Sequence, residues 1–494
     1  MRPSAETPAA PEERDPHDLA VIGAGCAGLA GAVTAAQLGL SVALLDASPQ
    51  IGGQFFRHPA PATGAARPEA LHHDWSLFTG LRRRLEASAV DRLGGHHVWT
   101  VTRDGDGGPW VVHAVTGADG GEERPVRIRA RAVLLATGAY ERQLPFPGWT
   151  IPGVVGAGGA QAMLKSGLVL PSRRVVVAGS GPLLLAVASS LAAAGAQVPA
   201  VIEASGYLGY ARHPYALAAN PRKIAEAAVH GGALLRHRVR LRTRSAVTEV
   251  HGTERVEAVT VSRLDRDWRP VPGSGRRIEC DAVAVGHGLA PQIELATTLG
   301  CATRSTPDRT TALVLDASQE TSVRDLWAAG ETGGVGGARL AGVEGELAGL
   351  AIAARLHGRP TRRGRARELE RRRDRMRAFA DAMAAAHAPG SGWPQWLADD
   401  TEVCRCEEVT AQSVRAAVTD LGARDARTVK LFTRAGMGWC QGRMCGAAVA
   451  CLAARRGDAD PLADPAPERR PFAVPVPLRA LGSLDGPVSA PHTD

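Results

Sequence analysis

The chain has 494 residues, a length that allows about two to four domains with substantial cores. Its formal net charge is +8, but the basic residues are almost all arginine, are scattered along the chain and are accompanied by few aromatic residues, which argues against nucleic-acid binding. Eight cysteines are too few for a disulfide scaffold of this length, so we expect a reducing, cytoplasmic compartment.

The N-terminal residues 1–16 are rich in proline, alanine and glutamate and lack the basic start and apolar core of a signal peptide. We expect this segment to be disordered. The apolar stretch 19–45 is long enough to suggest a membrane span, but its glycines and the polar residues Thr34, Gln37 and Ser41 favour a strand, a turn, a helix and a second strand. The sequence therefore predicts no membrane span.

A glycine pattern, G-x-G-x-x-G, joins this first strand to the helix. Gly23 permits the tight turn, Gly25 lets the backbone approach a pyrophosphate, and Gly28 lets helix and strand pack closely. Asp46 ends the next strand, about twenty residues further on, where an acidic side chain accepts a hydrogen bond from a ribose hydroxyl. Strand, turn, helix and acid together predict a dinucleotide site.

Three later segments favour FAD over NAD at this site. The loop 51–54 resembles the flavin-side loop of two-dinucleotide flavoproteins, and the Ala-Thr-Gly at 136–138 resembles their chain-crossing turn. Glu331 stands where these proteins usually have aspartate, so its extra methylene would shift a flavin contact or route it through water. Plain packing is the alternative role of these turns. The candidate residues are Gly53, Gln54, Thr137, Gly138, Gly330 and Glu331.

A second, less complete fingerprint follows another predicted strand. Gly179 and Gly181 are present, but Leu184 occupies the third glycine position. Glu203 ends the return strand, where it could read the ribose of a nicotinamide dinucleotide and favour NADH over NADPH. Leu184 either changes only the helix packing or marks a site that no longer binds NAD, so NAD(H) is a candidate second cofactor.

Two kinds of catalytic machinery are absent from the sequence. No C-x-x-C or C-x4-C pattern lies before residue 400, which excludes a redox-active disulfide beside the flavin. No nucleophile–base arrangement for hydrolysis is evident either. The sequence therefore assigns no catalytic residue.

Four cysteines near the C-terminus have ligand spacing, C-x-C followed by C-x4-C: Cys404, Cys406, Cys440 and Cys445. Four converging thiolates hold either zinc or an iron–sulfur cluster, and a vacant site is the third reading. Zinc would only stabilise the fold of a small domain, whereas a cluster would transfer single electrons. The predicted flavin site upstream favours a [2Fe–2S] cluster.

The order of motifs predicts two dinucleotide-binding units, the second inserted into the first. The predicted domains are a disordered N-terminus at 1–16, an FAD-binding domain formed by 17–160 and 275–358, an inserted NAD-type domain at 161–274, a linker helix within 361–398, a [2Fe–2S] domain at 400–455 and an extended tail, rich in proline and arginine, at 456–494. A helix is predicted over 70–93.

Together these motifs resemble the large FAD subunits of heteromeric amine and amino-acid dehydrogenases. This family includes the B subunit of hydrogen cyanide synthase, the A subunit of opine oxidase, the alpha subunit of D-hydroxyproline dehydrogenase and part of sarcosine oxidase alpha. The resemblance runs from about Leu19 to Arg479, and its last part resembles the bacterioferritin-associated ferredoxin-like [2Fe–2S] domain. The specific segments are 146–153, 156–165, 179–185, 330–337, 344–345 and 404–445.

The resemblance implies an α/β fold with two Rossmann-like dinucleotide-binding domains, similar to glutathione reductase, plus a small helical [2Fe–2S] domain. It also implies a division of labour. A separate flavoprotein subunit similar to D-amino-acid oxidase would remove hydride beside the substrate nitrogen, and a small ferredoxin-like subunit sometimes completes the complex. The implied substrates are proline or hydroxyproline, sarcosine, glycine or an opine.

Three functions stay open at this point. The first is the electron-transferring subunit of an amino-acid or amine dehydrogenase. The second is a self-contained NAD(P)H-dependent FAD oxidoreductase that passes electrons through its cluster to a partner protein. The third is a mainly structural subunit whose flavin is a relic.

Overall fold

The computed structural model describes most of the chain, namely residues 15–72, 74–105, 107–117, 123–358, 362–454 and 472–482. Most of the predicted disordered segment 1–16 and of the predicted tail 456–494 therefore lies outside the described residues.

The strands, in chain order, are β1 (His17–Ile22), β2 (Val42–Asp46), β3 (Asp91–Gly94), β4 (His97–Arg103), β5 (Trp110–Thr116), β6 (Arg124–Leu135), β7 (Ala139–Glu141), β8 (Val154–Gly156), β9 (Val175–Gly179), β10 (Ala200–Glu203), β11 (Arg240–Thr243), β12 (Ser245–His251), β13 (Ala258–Arg263), β14 (Arg276–Glu279), β15 (Ala282–Gly286), β16 (Leu289–Pro291), β17 (Thr303–Ser305), β18 (Thr311–Leu313), β19 (Leu326–Ala328), β20 (Glu402–Cys404) and β21 (Val409–Thr410). The α-helices are α1 (Cys26–Gln37), α2 (Trp75–Glu86), α3 (Ala157–Gly167), α4 (Leu183–Ala193), α5 (Pro214–Ala218), α6 (Pro221–Arg236), α7 (Glu294–Thr298), α8 (Ala338–His357), α9 (Arg363–Ala386), α10 (Ala411–Thr419), α11 (Ala426–Thr433), α12 (Gly446–Ala453) and α13 (Leu478–Gly482).

The first sheet has the order β3-β2-β1-β6-β5-β4, and β19 also pairs with β6. The strands β1, β2, β3 and β19 run parallel to the C-terminal half of β6, whereas β5 and β4 continue antiparallel from its N-terminal half. Both faces of β1 are buried: Leu19 and Val21 pack on α1, and Ala20 and Ile22 face a second core. This explains the uninterrupted apolar sequence of β1.

Helices α1 and α8 cover this sheet and cross each other at glycines. A Cβ atom built on Gly345 of α8 would meet the carbonyl oxygen of Ala27 at 2.0 Å. Only glycine at this position lets the two helix backbones approach so closely. The crossing holds the N-terminal end of α1 in place above the carboxyl ends of the parallel strands.

The second sheet has the order β11-β10-β9-β15-β8, with all pairs parallel. A three-stranded antiparallel sheet, β12-β13-β14, lies beside it. The predicted boundaries of the inserted unit, 161–274, need correction, because β8 precedes that range and β15 follows it. Both strands form backbone hydrogen bonds within the second sheet and not within the first.

The predicted helix over 70–93 is only partly right. An α-helix, α2, covers its middle, a short 3₁₀-helix spans Pro68–Leu71, and the last residues form β3. The segment leaves the helix because it pairs in parallel with β2 and so completes the edge of the first sheet. Tertiary strand pairing has overridden a local apolar pattern of helical period.

The predicted linker helix is α9. Leu369 of this helix is buried against Val343, Leu347 and Leu350 of α8. Charged contacts support this packing, because the Arg365 guanidinium donates two hydrogen bonds, of 2.7 and 2.9 Å, to the Glu346 carboxylate. The helix therefore rests on the first unit before it reaches the second.

The C-terminal module, formed by β20, β21 and α10 to α12, packs on the inserted unit. Its apolar residues, including Val403 and Val449, share one continuous core with Trp149 of the body. The Trp149 indole donates a 2.7 Å hydrogen bond to the carbonyl oxygen of Glu402. Further on, the Ala473 N–H donates to the carbonyl oxygen of Trp99 at 2.9 Å, so the described part of the tail lies against β4.

No helix within the described ranges is both long and apolar enough to cross a membrane.

Candidate cofactor sites

The first glycine turn lies between β1 and α1. Gly23 has φ +108°, and a Cβ on it would meet the carbonyl oxygen of Ala136 at 2.3 Å, while a Cβ on Gly28 would meet the Gly23 carbonyl oxygen at 1.7 Å. Both glycines are therefore required by the fold itself. Gly25 differs, because its Cβ would meet only the Cα of Gly53, at 3.9 Å. The space in front of Gly25 is thus open to a ligand.

Helix α1 begins at this open space without a capping side chain. Gly25 is its N-cap residue, and no side chain accepts a hydrogen bond from the first turn. Free N–H groups and the positive end of the helix dipole together suit a pyrophosphate. The missing side chain at Gly25 and the missing cap thus both fit the phosphate part of FAD.

Asp46 lies beside the same turn, at the end of β2. One of its carboxylate oxygens accepts the Ala24 N–H at 2.6 Å, and the other accepts the Ser48 N–H at 2.7 Å. Burial raises the pKa of Asp46, and these backbone hydrogen bonds oppose that shift. The carboxylate is only partly buried, so it can also accept a hydrogen bond from a ribose hydroxyl.

The predicted loop 51–54 does close over the turn. A Cβ on Gly53 would lie 2.9 Å from the Cα of Gly25, so the two glycines face each other. Gln54 is different: it is exposed, and its side-chain oxygen accepts a 3.1 Å hydrogen bond from Arg57. The loop therefore brings Gly53 to the first turn but leaves the Gln54 side chain at the surface.

Lys165 approaches the same loop from α3. Its ammonium donates a 3.1 Å hydrogen bond to the carbonyl oxygen of Phe55 and lies 5.5 Å from the Phe55 ring centroid. Burial lowers the pKa of Lys165 to about 8. Sequence reasoning placed Lys165 in a resembling segment but gave it no role, because nothing in the local pattern shows that it is buried.

The predicted chain-crossing turn contacts the segment before α7. The Thr137 hydroxyl donates to the carbonyl oxygen of Gln292 at 2.5 Å, and the Gln292 N–H donates to the carbonyl oxygen of Gly138 at 2.9 Å. A Cβ on Gly138 would meet nothing within 4 Å. The turn is therefore fixed by its backbone and leaves room beside Gly138.

The Glu331 side chain lies at the start of α8. Its carboxylate accepts the N–H groups of Gly336 and Gly337, at 2.6 and 3.0 Å. Glu331 therefore holds the loop that leads into α8, and its contacts come before Ala338, the first helical residue. The preceding Gly330 donates its N–H to the buried Glu344 at 3.0 Å, and Glu344 in turn pairs with Arg377 of α9.

The second glycine turn, between β9 and α4, again joins a parallel strand to a helix, but its backbone differs, because Gly181 has φ +114° where Gly25 has φ −76°. Gly179 packs against Gly286, Leu184 is buried in the helix packing, and Gly181 has open space in front of it. Glu203 is fully buried, and its carboxylate accepts the N–H groups of Gly181 and Ser205 at 3.0 and 2.9 Å. Leu184 therefore stands at the third glycine position and packs in the apolar core of this unit.

The four C-terminal cysteines come together in two close pairs. The thiol of Cys404 is in hydrogen-bonding contact with that of Cys445, and Cys406 with Cys440. Among the described residues, no three or more His, Cys, Asp or Glu side chains form a metal-ion site of ordinary geometry. Two pairs of thiols are nevertheless the donor count of a [2Fe–2S] cluster, in which four cysteines serve two iron atoms.

The surroundings of Cys404 favour the thiolate that a cluster needs. Contact with the Cys445 thiol lowers the pKa of Cys404 to about 6, against the opposing effect of burial, and the Gly436 N–H donates to its sulfur at 3.4 Å. The donors come from the loop before the cysteine pair 440 and 445, and from the C-x-C turn itself. The thiolate is the form that binds metal.

Arg443 lies between the last two cysteines and contacts the body of the protein. Its Nε is 2.9 Å from a carboxylate oxygen of Glu294, the first residue of α7, and both side chains are largely buried. It also donates to the carbonyl oxygens of Cys440 and Ala473. Sequence reasoning missed Arg443 and Glu294, because they are far apart in the chain and no motif joins them.

Two family models match the chain. The model of pyridine nucleotide-disulphide oxidoreductases matches residues 17–348, and that of BFD-like [2Fe-2S] binding domains matches residues 402–455. These matches confirm the predicted FAD and [2Fe–2S] cofactors and the prediction that the chain is an oxidoreductase.

Curated relatives match over most of their length. The A subunit of opine oxidase from Agrobacterium tumefaciens is 35% identical, covering 90% of this chain and 87% of the relative. Hydrogen cyanide synthase subunit HcnB from Pseudomonas protegens is 30% identical, covering 86% and 89%. Among solved structures, L-proline dehydrogenase from P. horikoshii has a TM-score of 0.65 at 20% identity, covering 95% of this chain and 80% of that one.

That structural likeness confirms the predicted α/β fold, and the sequence relatives confirm the predicted family. Both relatives are named as subunits, which agrees with the prediction that the chain works in a complex. The chain belongs to the family of pyridine nucleotide-disulphide oxidoreductase-like flavoproteins with a C-terminal BFD-like [2Fe-2S] domain, which includes the A subunit of opine oxidase and hydrogen cyanide synthase subunit HcnB.

Proposed function

We propose that this chain is the electron-transferring subunit of a heteromeric dehydrogenase that oxidises the C–N bond of an amino acid or amine. The observation that carries the proposal is a flavoprotein body and a BFD-like [2Fe-2S] domain on one chain that is similar to subunits of opine oxidase and hydrogen cyanide synthase. Within the chain, the largely buried ion pair between Arg443 and Glu294 joins the loop of the last two cysteines to the body.

FAD is assigned to the first glycine turn. The residues that form this site would be Gly23, Gly25, Gly28, Asp46, Gly53, Thr137, Gly138 and Gly330, with Gln54 at the rim and Glu331 holding the loop before α8. The cluster is assigned to Cys404, Cys406, Cys440 and Cys445. When bound, FAD accepts a hydride equivalent and the cluster carries single electrons.

The chain's own residues connect the two sites. Arg443 contacts Glu294, which begins α7 two residues after Gln292. The backbone of Gln292 is hydrogen-bonded to Thr137 and Gly138, the turn assigned to the flavin. The cysteine loop is therefore tied to the flavin turn through two contacts and one short segment.

The proposal includes partners and a compartment. The hydride-removing partner would be a flavoprotein similar to D-amino-acid oxidase, and a small ferredoxin-like protein would be a further member. The substrate would be proline, hydroxyproline, sarcosine, glycine or an opine. We place the complex in the cytoplasm, because all eight cysteines are free and a reducing compartment preserves them.

The test is substrate oxidation with and without the partner. The chain is produced alone and together with a flavoprotein similar to D-amino-acid oxidase, and reduction of a dye acceptor is followed with each of the five substrates. We expect turnover only by the complex. Robust turnover by the lone chain would contradict the need for a partner, and no turnover of any of the five substrates by an intact complex would contradict the substrate class.

The connecting ion pair is tested separately with Arg443→Gln. Iron and flavin contents should be retained, while electron transfer from reduced flavin to the cluster should slow at least about tenfold, equivalent to ~1.4 kcal/mol. Arg415→Gln is the matched control, because Arg415 pairs with the exposed Asp399 on the surface of the same module. Equal rates in both variants would remove the role assigned to Arg443.

A further inference from the structure

The C-terminal end of α9 lies on the second glycine turn. His387, the residue after α9, accepts the Ser180 hydroxyl at its carbonyl oxygen, with a distance of 3.1 Å. Ser180 stands between the two glycines of this turn. A segment about two hundred residues away in the chain thus occupies the surface where a dinucleotide would lie.

The imidazole of His387 faces the acid of the same turn. Its Nδ1 is 3.4 Å from a carboxylate oxygen of Glu203, and its Nε2 is 3.1 Å from the Tyr210 hydroxyl. The side chains of Glu203 and His387 are 0% and 6% exposed. Because the Glu203 carboxylate is fully buried beside His387 and accepts two backbone N–H groups, a ribose hydroxyl cannot reach it in this arrangement.

Neighbouring contacts hold His387 in place against Glu203. A Cβ on Gly209 would meet the Cβ of Ala386 at 3.1 Å, so the loop after β10 packs tightly on the end of α9. The Tyr210 ring stacks on Phe379, about two turns before the end of α9, with centroids 6.2 Å apart. Opening the ribose position would require the helix end and this loop to separate. The space in front of Gly181 is open, so the closure lies at the ribose end alone.

We propose that His387 excludes NAD(H) and NADP(H) from the second glycine turn and so determines which electron donor the chain can use. The inference rests on the proposed function in one respect. In that function a protein partner, and not a nicotinamide, supplies the electrons. It argues against the second function left open by the sequence, a self-contained NAD(P)H-dependent oxidoreductase.

The experiment uses the full chain with its flavin and cluster. NADH and NADPH are added without air while the flavin absorbance is followed, and NAD⁺ binding is measured by calorimetry. We expect no flavin reduction and no binding at millimolar concentrations. His387→Ala, and the smaller change His387→Ser, should make NAD⁺ binding at least tenfold tighter, with flavin and iron contents retained. His237→Ala is the matched control, because His237 is also a helix C-cap but is exposed.

Flavin reduction by NADH in the unaltered chain, or NAD⁺ binding to it, would overturn the proposal even if the variants fail to fold. Folded His387 variants that still do not bind NAD⁺ would show that another residue closes the site, which also overturns it. Dye reduction by the complex with an amino acid is measured independently, so failure of the proposed function is recognised separately.

Discussion

The two glycine turns of this chain have the same strand–turn–helix arrangement and different surroundings. Each follows a parallel strand, opens a helix and binds the N–H of its own turn to an acid on the next strand, Asp46 in the first and Glu203 in the second. In the first turn the acid stays partly accessible and Gly25 faces open space. In the second, His387 lies directly against the acid.

A glycine fingerprint therefore identifies a strand–turn–helix unit and does not by itself identify a ligand. The turn geometry follows from a few residues that must lack a side chain. Whether a dinucleotide can bind depends on which distant segment packs over the acid. In this chain His387, the residue after the linker helix α9, packs against the acid of the second turn. The chain then continues from α9 to the cysteine module.

The largest effect is expected from Gly25→Val. Because a Cβ at Gly25 has space, the variant should fold, but its side chain would occupy the position of the pyrophosphate. We expect FAD affinity to fall about 100-fold, or ~2.7 kcal/mol, while the iron content stays unchanged. Flavin content and dissociation constants measured on purified protein check this.

The matched change in the second turn is Gly181→Ala. Gly181 also has space in front of it, but its φ of +114° strains any other residue. Some loss of stability is expected and no loss of flavin. If Gly25→Val kept its FAD while Gly181→Ala lost it, the two turns would have been assigned the wrong way round.

A smaller effect distinguishes the two acids. Glu203→Gln replaces an oxygen that accepts a backbone N–H inside the core, so the free energy of unfolding should fall by about 1–3 kcal/mol, with FAD affinity unchanged. Asp46→Asn should do the reverse, weakening FAD binding more than it affects the apoprotein. Thermal or denaturant unfolding of flavin-free protein, together with flavin titration, separates the two outcomes. Equal effects on both quantities would contradict the contrast.

A last effect, on the pH dependence of stability, concerns Lys165, the cation beside the first turn. Its pKa of about 8 lies below the ordinary value of about 10.4, so the unfolded chain binds more protons between these two pKa values. The free energy of unfolding should therefore rise with pH in this window, by at most about 1.4 kcal/mol per pH unit. Lys165→Met should flatten the rise, whereas Lys223→Met, at an exposed ion pair, should not.

Much of the first site was predictable from the sequence, because Gly23, Gly28 and Asp46 belong to one continuous strand–turn–helix–strand unit. The grouping of the four cysteines was predicted from their spacing, whereas their arrangement in two pairs was not. The exposed position of Gln54 and the contacts of Glu331 with the loop before α8 were not predicted either, because each depends on a single side-chain rotamer.

The contacts that distinguish the two turns were beyond sequence reasoning. His387 reaches Glu203, and Arg443 reaches Glu294, only once separate elements have packed. His387 stands in no motif, Arg443 is an unspecified position within the C-x4-C spacing, and one sequence carries no record of which distant residues meet. The strand β3 was missed in a similar way, because its pairing with β2 decides its conformation.

We infer that FAD and a [2Fe–2S] cluster on this chain form one electron-transfer unit. Stepwise dithionite titration of the purified chain without air, followed by flavin absorbance, paramagnetic resonance and metal analysis, tests it most directly. We expect about three electrons per chain, two for FAD and one for the cluster, and about two in Cys440→Ser with FAD retained. An uptake of two electrons by the unaltered chain, with stoichiometric zinc and no reduced-cluster signal, would contradict the claim.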